Sequence, residues 1–143
     1  MGASSRVSFT IGYSGRSPGE FVQTLKAEGI DRVVDVRALP LSRRRGFSKT
    51  ALRTCLEANG IDYVHLKRAG NPFRDVKQDI VRCLELYAGY LDESPDVLAE
   101  VAGALDGHRA ALLCVEHDAS GCHRSVIAAR LQAAHPALCI RHI

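Results

Sequence analysis

The stretch CVEHDASGCHRS, residues 114–125, packs two cysteines, two histidines, two acids and an arginine into twelve positions. Cys122 stands at the start of the helical pattern of residues 122–134, at the positive end of a helix dipole. Free amides there stabilise a thiolate, and such positions pull a cysteine well below its usual pKa. Cys122 is therefore a candidate nucleophile, with Glu116 or His123 as acid–base partner and Arg124 clamping a substrate anion beside the helix amides. On residue type alone the bland reading, a small residue closing a strand-to-helix turn, competes closely. Cys114 reads first as a buried core thiol of an apolar strand. Glu116, at the end of that strand, needs solvent, a partner or a function; a salt bridge to Arg124 or Arg37 serves as well as catalysis.

The same residues are metal-ligand types. Cys114, Cys122 and His123 are the leading set, with Glu116 and His117 also eligible. The C-x7-C-H spacing is not a familiar zinc pattern and no C-x2-C pair is present, so metal binding ranks below anion binding on spacing alone.

A second concentration follows "DVRALPLSRRRGF". Arg37, Arg43, Arg44, Arg45 and then Lys49 form a basic loop. Such runs usually solvate a surface, but this one follows a strand, and Arg16, Lys67, Arg68, Arg74 and Arg124 lie in loops expected at the same rim. Phosphate, nucleic acid or an acidic small molecule is the matching partner. In "GYSGR", Ser14 could hydrogen-bond a ligand and Tyr13 could stack on a base, although Gly12 and Gly15 also simply permit a turn. His65 reads as a structural histidine before a base.

The elements that must position these residues follow from periodicity. Val7, Phe9 and Ile11 alternate as a strand. Ser17, Pro18 and Glu20 form a helix start with capping-box spacing, and Gly29 stops that helix. "RVVDV", "DYVHL", "RAALLCVEH" and "LCIRHI" read as further strands. Ser48 is expected to cap a helix that ends at Asn59-Gly60. Phe73, Val76, Ile80, Leu84, Tyr87 and Leu91 predict one long amphipathic helix, and Ser94-Pro95 starts another with Val97, Val101 and Leu105 inward. The order βαβαβααβαβ predicts a single three-layer α/β domain over residues 1–143, mostly parallel, with helices on both faces. Ligands of such sheets bind beyond the carboxyl ends of the strands.

The totals agree with this picture. Of 143 residues, 46% are hydrophobic and 24% charged, ordinary for a globular domain, and 19 basic against 16 acidic residues leave a charge of +3. Five cysteines, an odd number spread over helices and strands, argue against a disulfide framework. The first residues lack a signal-peptide pattern and no apolar run has the length of a membrane span, so a cytoplasmic location is expected.

Taken together, "TIGYS", "VVDVRALPLSRR", "GFSK", "GIDYVHLKRAGNPFR" and "LLCVEHDASGCHRSVIA" resemble the domain-of-unknown-function 488 family over nearly the whole chain. Ala69-Gly70-Asn71 stands where that family has a more glycine-rich "LGG" or "LGN". The resemblance implies an α/β domain and no assigned reaction or cofactor. It marks Gly12, Ser14, Asp35, Arg37, Pro40, Ser42, His65, Cys114, Glu116, Cys122, His123 and Arg124 as positions that gather at one site. "VVDVR" is also similar to sulfurtransferases of the rhodanese type, but Arg124 follows Cys122 by only two residues, a shorter loop than those enzymes have, and persulfide transfer ranks as a minor alternative. The favoured expectation is a small enzyme with Cys122, Glu116 and His123 catalytic and Ser14, Arg37, Ser42, Arg43, His65 and Arg124 holding an anionic substrate. A nucleic-acid-binding or repair-associated module and a metal-binding domain are the alternatives.

Overall fold

The computed structural model describes residues 6–42, 45–73, 79–115 and 122–143. Arg43, Arg44, Arg74, Val76, Glu116 and His117 lie outside the described residues.

Five strands, β1 (Arg6–Gly12), β2 (Arg32–Asp35), β3 (Asp62–His65), β4 (Ala110–Cys114) and β5 (Leu138–His142), form one all-parallel sheet in the order β3-β2-β4-β1-β5. Among the described residues, five α-helices cover it: α1 (Pro18–Ala27), α2 (Lys49–Ala58), α3 (Ile80–Glu93), α4 (Pro95–Leu105) and α5 (Arg124–Ala134). The layers follow from strand alternation. Phe9, Ile11, Val33, Tyr63, Ala111 and Leu113 point to α1 and α2, meeting Phe21, Leu25, Leu52 and Leu56. Val34, Val36, Ala110 and Leu112 point the other way and meet Tyr87, Leu91, Val97, Val101, Ile127 and Leu131. β4, buried at every position, is the centre of the sheet. Among the described residues, no helix is long and apolar enough to cross a membrane.

Most local expectations hold for physical reasons. The Ser17 side chain accepts from the Glu20 amide at 3.1 Å, and the Glu20 carboxylate accepts from the Ser17 amide at 3.0 Å, a complete capping box with Pro18 in the first turn. Gly29 ends α1 with φ +68°, a backbone state that L side chains avoid. Ser48 precedes α2, but its side chain makes no cap hydrogen bond. Its Oγ instead accepts from the Ser42 amide at 2.9 Å and donates to the Ser42 carbonyl at 3.3 Å, closing the loop after β2.

The predicted long helix from Phe73 is shorter. It begins at Ile80, where Asp79 accepts from the Arg82 amide at 3.0 Å. Its buried stripe is Cys83, Tyr87 and Leu91, an i, i+4, i+8 series; Ile80, expected inward, is 47% exposed in the first turn.

Strand order decides where a ligand fits. β2 leads through α2 to β3 on one side, while its neighbour β4 leads through α5 to β5 on the other. Their carboxyl-end loops diverge on opposite faces, and the crevice between them is the topological switch point.

Candidate functional site

Cys114 ends β4, and Cys122 and His123 stand just before α5, with His123 in the N-cap position. The sulfur atoms and a ring nitrogen of these three residues all lie within 4.8 Å of one another. His123 Nδ1 is 3.6 Å from Cys114 Sγ and 3.8 Å from Cys122 Sγ. All three side chains are buried.

The tautomer of His123 follows from its other nitrogen. Nε2 lies 2.8 Å from the Val36 carbonyl, which can only accept, so Nε2 carries the proton and Nδ1 presents its lone pair to the two sulfurs. The edge of the Tyr87 ring packs on the imidazole, centroids 5.0 Å apart and planes at 78°. Tyr87 Oη donates to the Ala69 carbonyl at 2.5 Å. Ala69 in turn precedes Gly70, where an added Cβ would fall 2.3 Å from Ala38 Cα. The loop after β3 thus lies directly on the backbone after β2, and only glycine fits at the contact.

The electrostatics oppose a bare thiolate. Burial first, and then the hydrogen bond with Cys114, push the Cys122 thiol well above its ordinary value, although His123 pulls the other way. The expected lowering at a helix start is therefore reversed, because desolvation of a nearly enclosed sulfur outweighs the helix end. Burial also drives the Tyr87 phenol up, reinforced by Tyr90, Cys114 and Cys122, and keeps it a neutral donor.

Arg37 is not an anion clamp in this geometry. It is 2% exposed, and its Nε and one terminal nitrogen donate to Asp35 Oδ1 and Oδ2 at 2.9 and 2.8 Å. The other terminal nitrogen donates to the Phe47 carbonyl at 2.7 Å. Burial lowers the guanidinium, but the hydrogen bonds and charge of Asp35 outweigh it and leave its pKa raised. Tyr63 completes the network, donating from Oη to Asp35 Oδ2 at 2.5 Å. Strand alternation sets Asp35 and Arg37 on one face, but residue spacing gives no sign that Tyr63 joins them in a buried triad.

The remaining candidates divide. His65 Nε2 donates to the Arg37 carbonyl at 2.8 Å, bracing the loop beside the site. The Ser14 amide donates to the Val115 carbonyl at 2.9 Å, so the β1 loop lies against the β4 loop. Ser42 belongs to the loop closure with Ser48. Tyr13, a candidate to stack on a base, is buried and stacked on Phe47 with centroids 4.5 Å apart. Arg124 is fully buried at the start of α5. Of the other rim cations, Arg16 donates to Gly12, Thr24 and Ile143, and Arg68 pairs with Asp96 at 2.6 Å. The shared basic rim is thereby reduced, among the described residues, because several of its arginines are spent on internal partners.

The site thus brings Cys114, Cys122 and His123 together and leaves Arg37, Ser42 and His65 as supports of the neighbouring loop. Tyr87, Gly70 and the Val36 carbonyl are additions. Tyr87 was visible as a core position of an amphipathic helix; a carbonyl has no sequence signal. The family model described as domain of unknown function DUF488 matches residues 17–131. No curated protein and no solved structure matches the chain.

Proposed function

We propose, starting from the fact that this chain belongs to the DUF488 family, that its crevice is a thiolate–imidazole metal centre, with Cys114, Cys122 and His123 as ligands of a zinc-type divalent cation. The observation that carries this reading is the convergence of the three ligand atoms on one point. In a tetrahedral zinc site, bonds of about 2.3 Å to sulfur and 2.0 Å to nitrogen separate nitrogen and sulfur ligands by roughly 3.5 Å. The two nitrogen–sulfur separations of 3.6 and 3.8 Å are close to that edge. The Val36 carbonyl holding Nε2–H is the outer partner that metal-bound imidazoles characteristically have, and it leaves Nδ1 free to ligate. Thiolate and imidazole ligands favour zinc over magnesium or calcium.

The test is metal content of the purified full chain by mass spectrometry, with cobalt(II) substitution as a spectroscopic check. About one equivalent of bound metal and a sulfur-to-cobalt charge-transfer band are expected, both lost in Cys122→Ser and strongly reduced in His123→Ala. Folded protein with no metal affinity overturns the reading.

The second reading is a thiol enzyme acting on an anionic substrate. The 3.8 Å approach of Cys122 Sγ to His123 Nδ1 favours it, since that nitrogen is placed to take the thiol proton. The two readings separate by alkylation of Cys122 with and without a chelator. Labelling that waits for chelation supports the metal, and rapid labelling without it supports the nucleophile. A nucleic-acid module using the basic loop stays a third proposal, with salt-dependent binding as its signature.

A further inference from the structure

Two of the three residues in the cluster are cysteines, and two neighbouring thiols have a chemistry of their own. The Sγ atoms of Cys114 and Cys122 lie within 4.8 Å of each other, and the two side chains share a hydrogen bond. A disulfide needs roughly 2.0 Å between the sulfurs. The gap is one that a change of χ1 rotamer can close. Cys114 is the last residue of β4, and Cys122 stands two residues before α5, so neither sulfur hangs from the interior of an element. Residues 115–121 contain no cysteine, so the intervening segment offers neither sulfur another disulfide partner. The other three cysteines sit on other elements, Cys55 on α2, Cys83 on α3 and Cys139 on β5.

A second observation is the base between the sulfurs. The Val36 carbonyl holds His123 Nε2–H, which leaves the Nδ1 lone pair 3.6 Å from Cys114 Sγ and 3.8 Å from Cys122 Sγ. Exchange with a disulfide starts from a thiolate, and a buried thiol needs a base at hand to become one. One nitrogen serves both sulfurs. The fold, moreover, does not need the bond. Small domains without a core depend on disulfides, whereas this sheet has an apolar layer on each face. The bond can therefore open and close on a folded chain.

We infer that Cys114 and Cys122 are a dithiol–disulfide pair, closed by exchange with a low-molecular-weight disulfide of the glutathione type, and that closure expels the metal ion from the site. The expulsion rests on the metal reading above; the pair rests on the two sulfurs and His123 alone. One thiol gives its proton to His123 Nδ1, and its sulfur attacks the reagent, forming a mixed disulfide and releasing one glutathione thiolate. The second sulfur attacks the protein sulfur of that mixed disulfide and releases the other. The chain loses two electrons and two protons, and oxidised glutathione gains both to become two thiols. In the metal-loaded chain the two thiolates supply the electrons and solvent supplies the protons. The ion then leaves, because a thiolate is a ligand and a disulfide sulfur is not.

The experiment uses the full chain carrying Cys139→Ser, which removes the exposed thiol, both stripped of metal and loaded with zinc. Each form is equilibrated in glutathione redox buffers, quenched with acid, alkylated and mapped by mass spectrometry. Peptides joined through Cys114 and Cys122 are expected, with Cys55 and Cys83 alkylated. Closure releases two glutathiones, so doubling total glutathione at a fixed ratio of its two forms should lower the ratio of closed to open chain about twofold, whereas a mixed disulfide would not respond. About one zinc should leave the loaded chain per disulfide formed. Cys122→Ser should give a glutathione adduct on Cys114 instead, and His123→Ala should keep the pair and close it severalfold more slowly. Glutathione adducts in place of the joined peptides, or a disulfide that forms only in urea, overturn the inference and leave the metal reading standing. A disulfide in a chain that keeps its zinc overturns the expulsion. Closure in a chain with no zinc affinity supports the pair and removes the metal reading.

Discussion

His65 and His123 hold successive peptide carbonyls of one loop: His65 Nε2 donates to Arg37 O and His123 Nε2 to Val36 O, each at 2.8 Å. One imidazole comes from the end of β3 and the other from the start of α5, so the backbone that leaves β2 is pinned from both sides. His65→Ala removes one pin. It is expected to cost about 1 kcal/mol in urea unfolding, the usual net value of one hydrogen bond, and to weaken cobalt affinity severalfold. Unchanged affinity with the stability loss intact would confine His65 to a structural role.

Gly70→Ala tests the contact between the loops after β2 and β3. The new methyl would fall 2.3 Å from Ala38 Cα and 2.5 Å from Ala38 N, backbone atoms that have no rotamer to give. Overpacking of this kind costs about 1–3 kcal/mol. Because Ala69 O holds Tyr87, which packs on His123, metal affinity should fall as well. A variant as stable as the parent would show that the loops separate freely.

Asp35→Asn addresses the buried triad. The carboxylate is fully buried and neutralises Arg37 while accepting from Tyr63. Removing it strands a guanidinium that is 2% exposed, which is expected to cost about 3–5 kcal/mol in urea unfolding. Tyr63→Phe loses one hydrogen bond and leaves the ion pair, so about 1 kcal/mol is expected. Equal losses for the two variants would mean that the ion pair contributes little.

His142 gives the pH dependence a direction. Burial, and then the charge of Arg124, hold its pKa below the ordinary 6.5, and its Nδ1 lies 2.5 Å from Thr10 Oγ1. The unfolded chain therefore binds the proton more readily than the folded one. This contribution to stability is complete above about pH 6.5 and is lost as the pH falls through the lower folded value. His142→Gln should flatten the acid limb of Tm against pH below about 6.5. An unchanged limb would assign the acid sensitivity to other groups.

The fold was legible because its signals repeat. Val7, Phe9 and Ile11 alternate, Ser17 and Glu20 cap, and glycines close α1 and α2, each pointing to the same layered sheet. The trio of Cys114, Cys122 and His123 was legible as a set of ligand types, since strand end and helix start were both readable. Their convergence was not, because C-x7-C-H gives no hint that β4 and α5 bring a ring nitrogen within 4 Å of both sulfurs. Arg37 differs for a related reason. Its spacing from Asp35 puts both on one face of the strand end, but only burial reveals that the two neutralise each other. The burial of Tyr13 has no local signal because its stacking partner, Phe47, lies on a different loop.

The strand order has a consequence for how the chain is made. Only β2 and β3 are neighbours both in sequence and in the sheet; every other pairing waits for β4 or β5. A nascent chain that has not yet exposed Ala110–Cys114 has the β2–β3 pair, a lone β1 and no strand to join them. Three of the four strand pairings join segments far apart in sequence, and such non-local pairing slows folding. On the ribosome, the arrival of β4 is the moment at which α1, α2, α3 and α4 acquire a common surface, and Cys114 emerges at the end of that same strand.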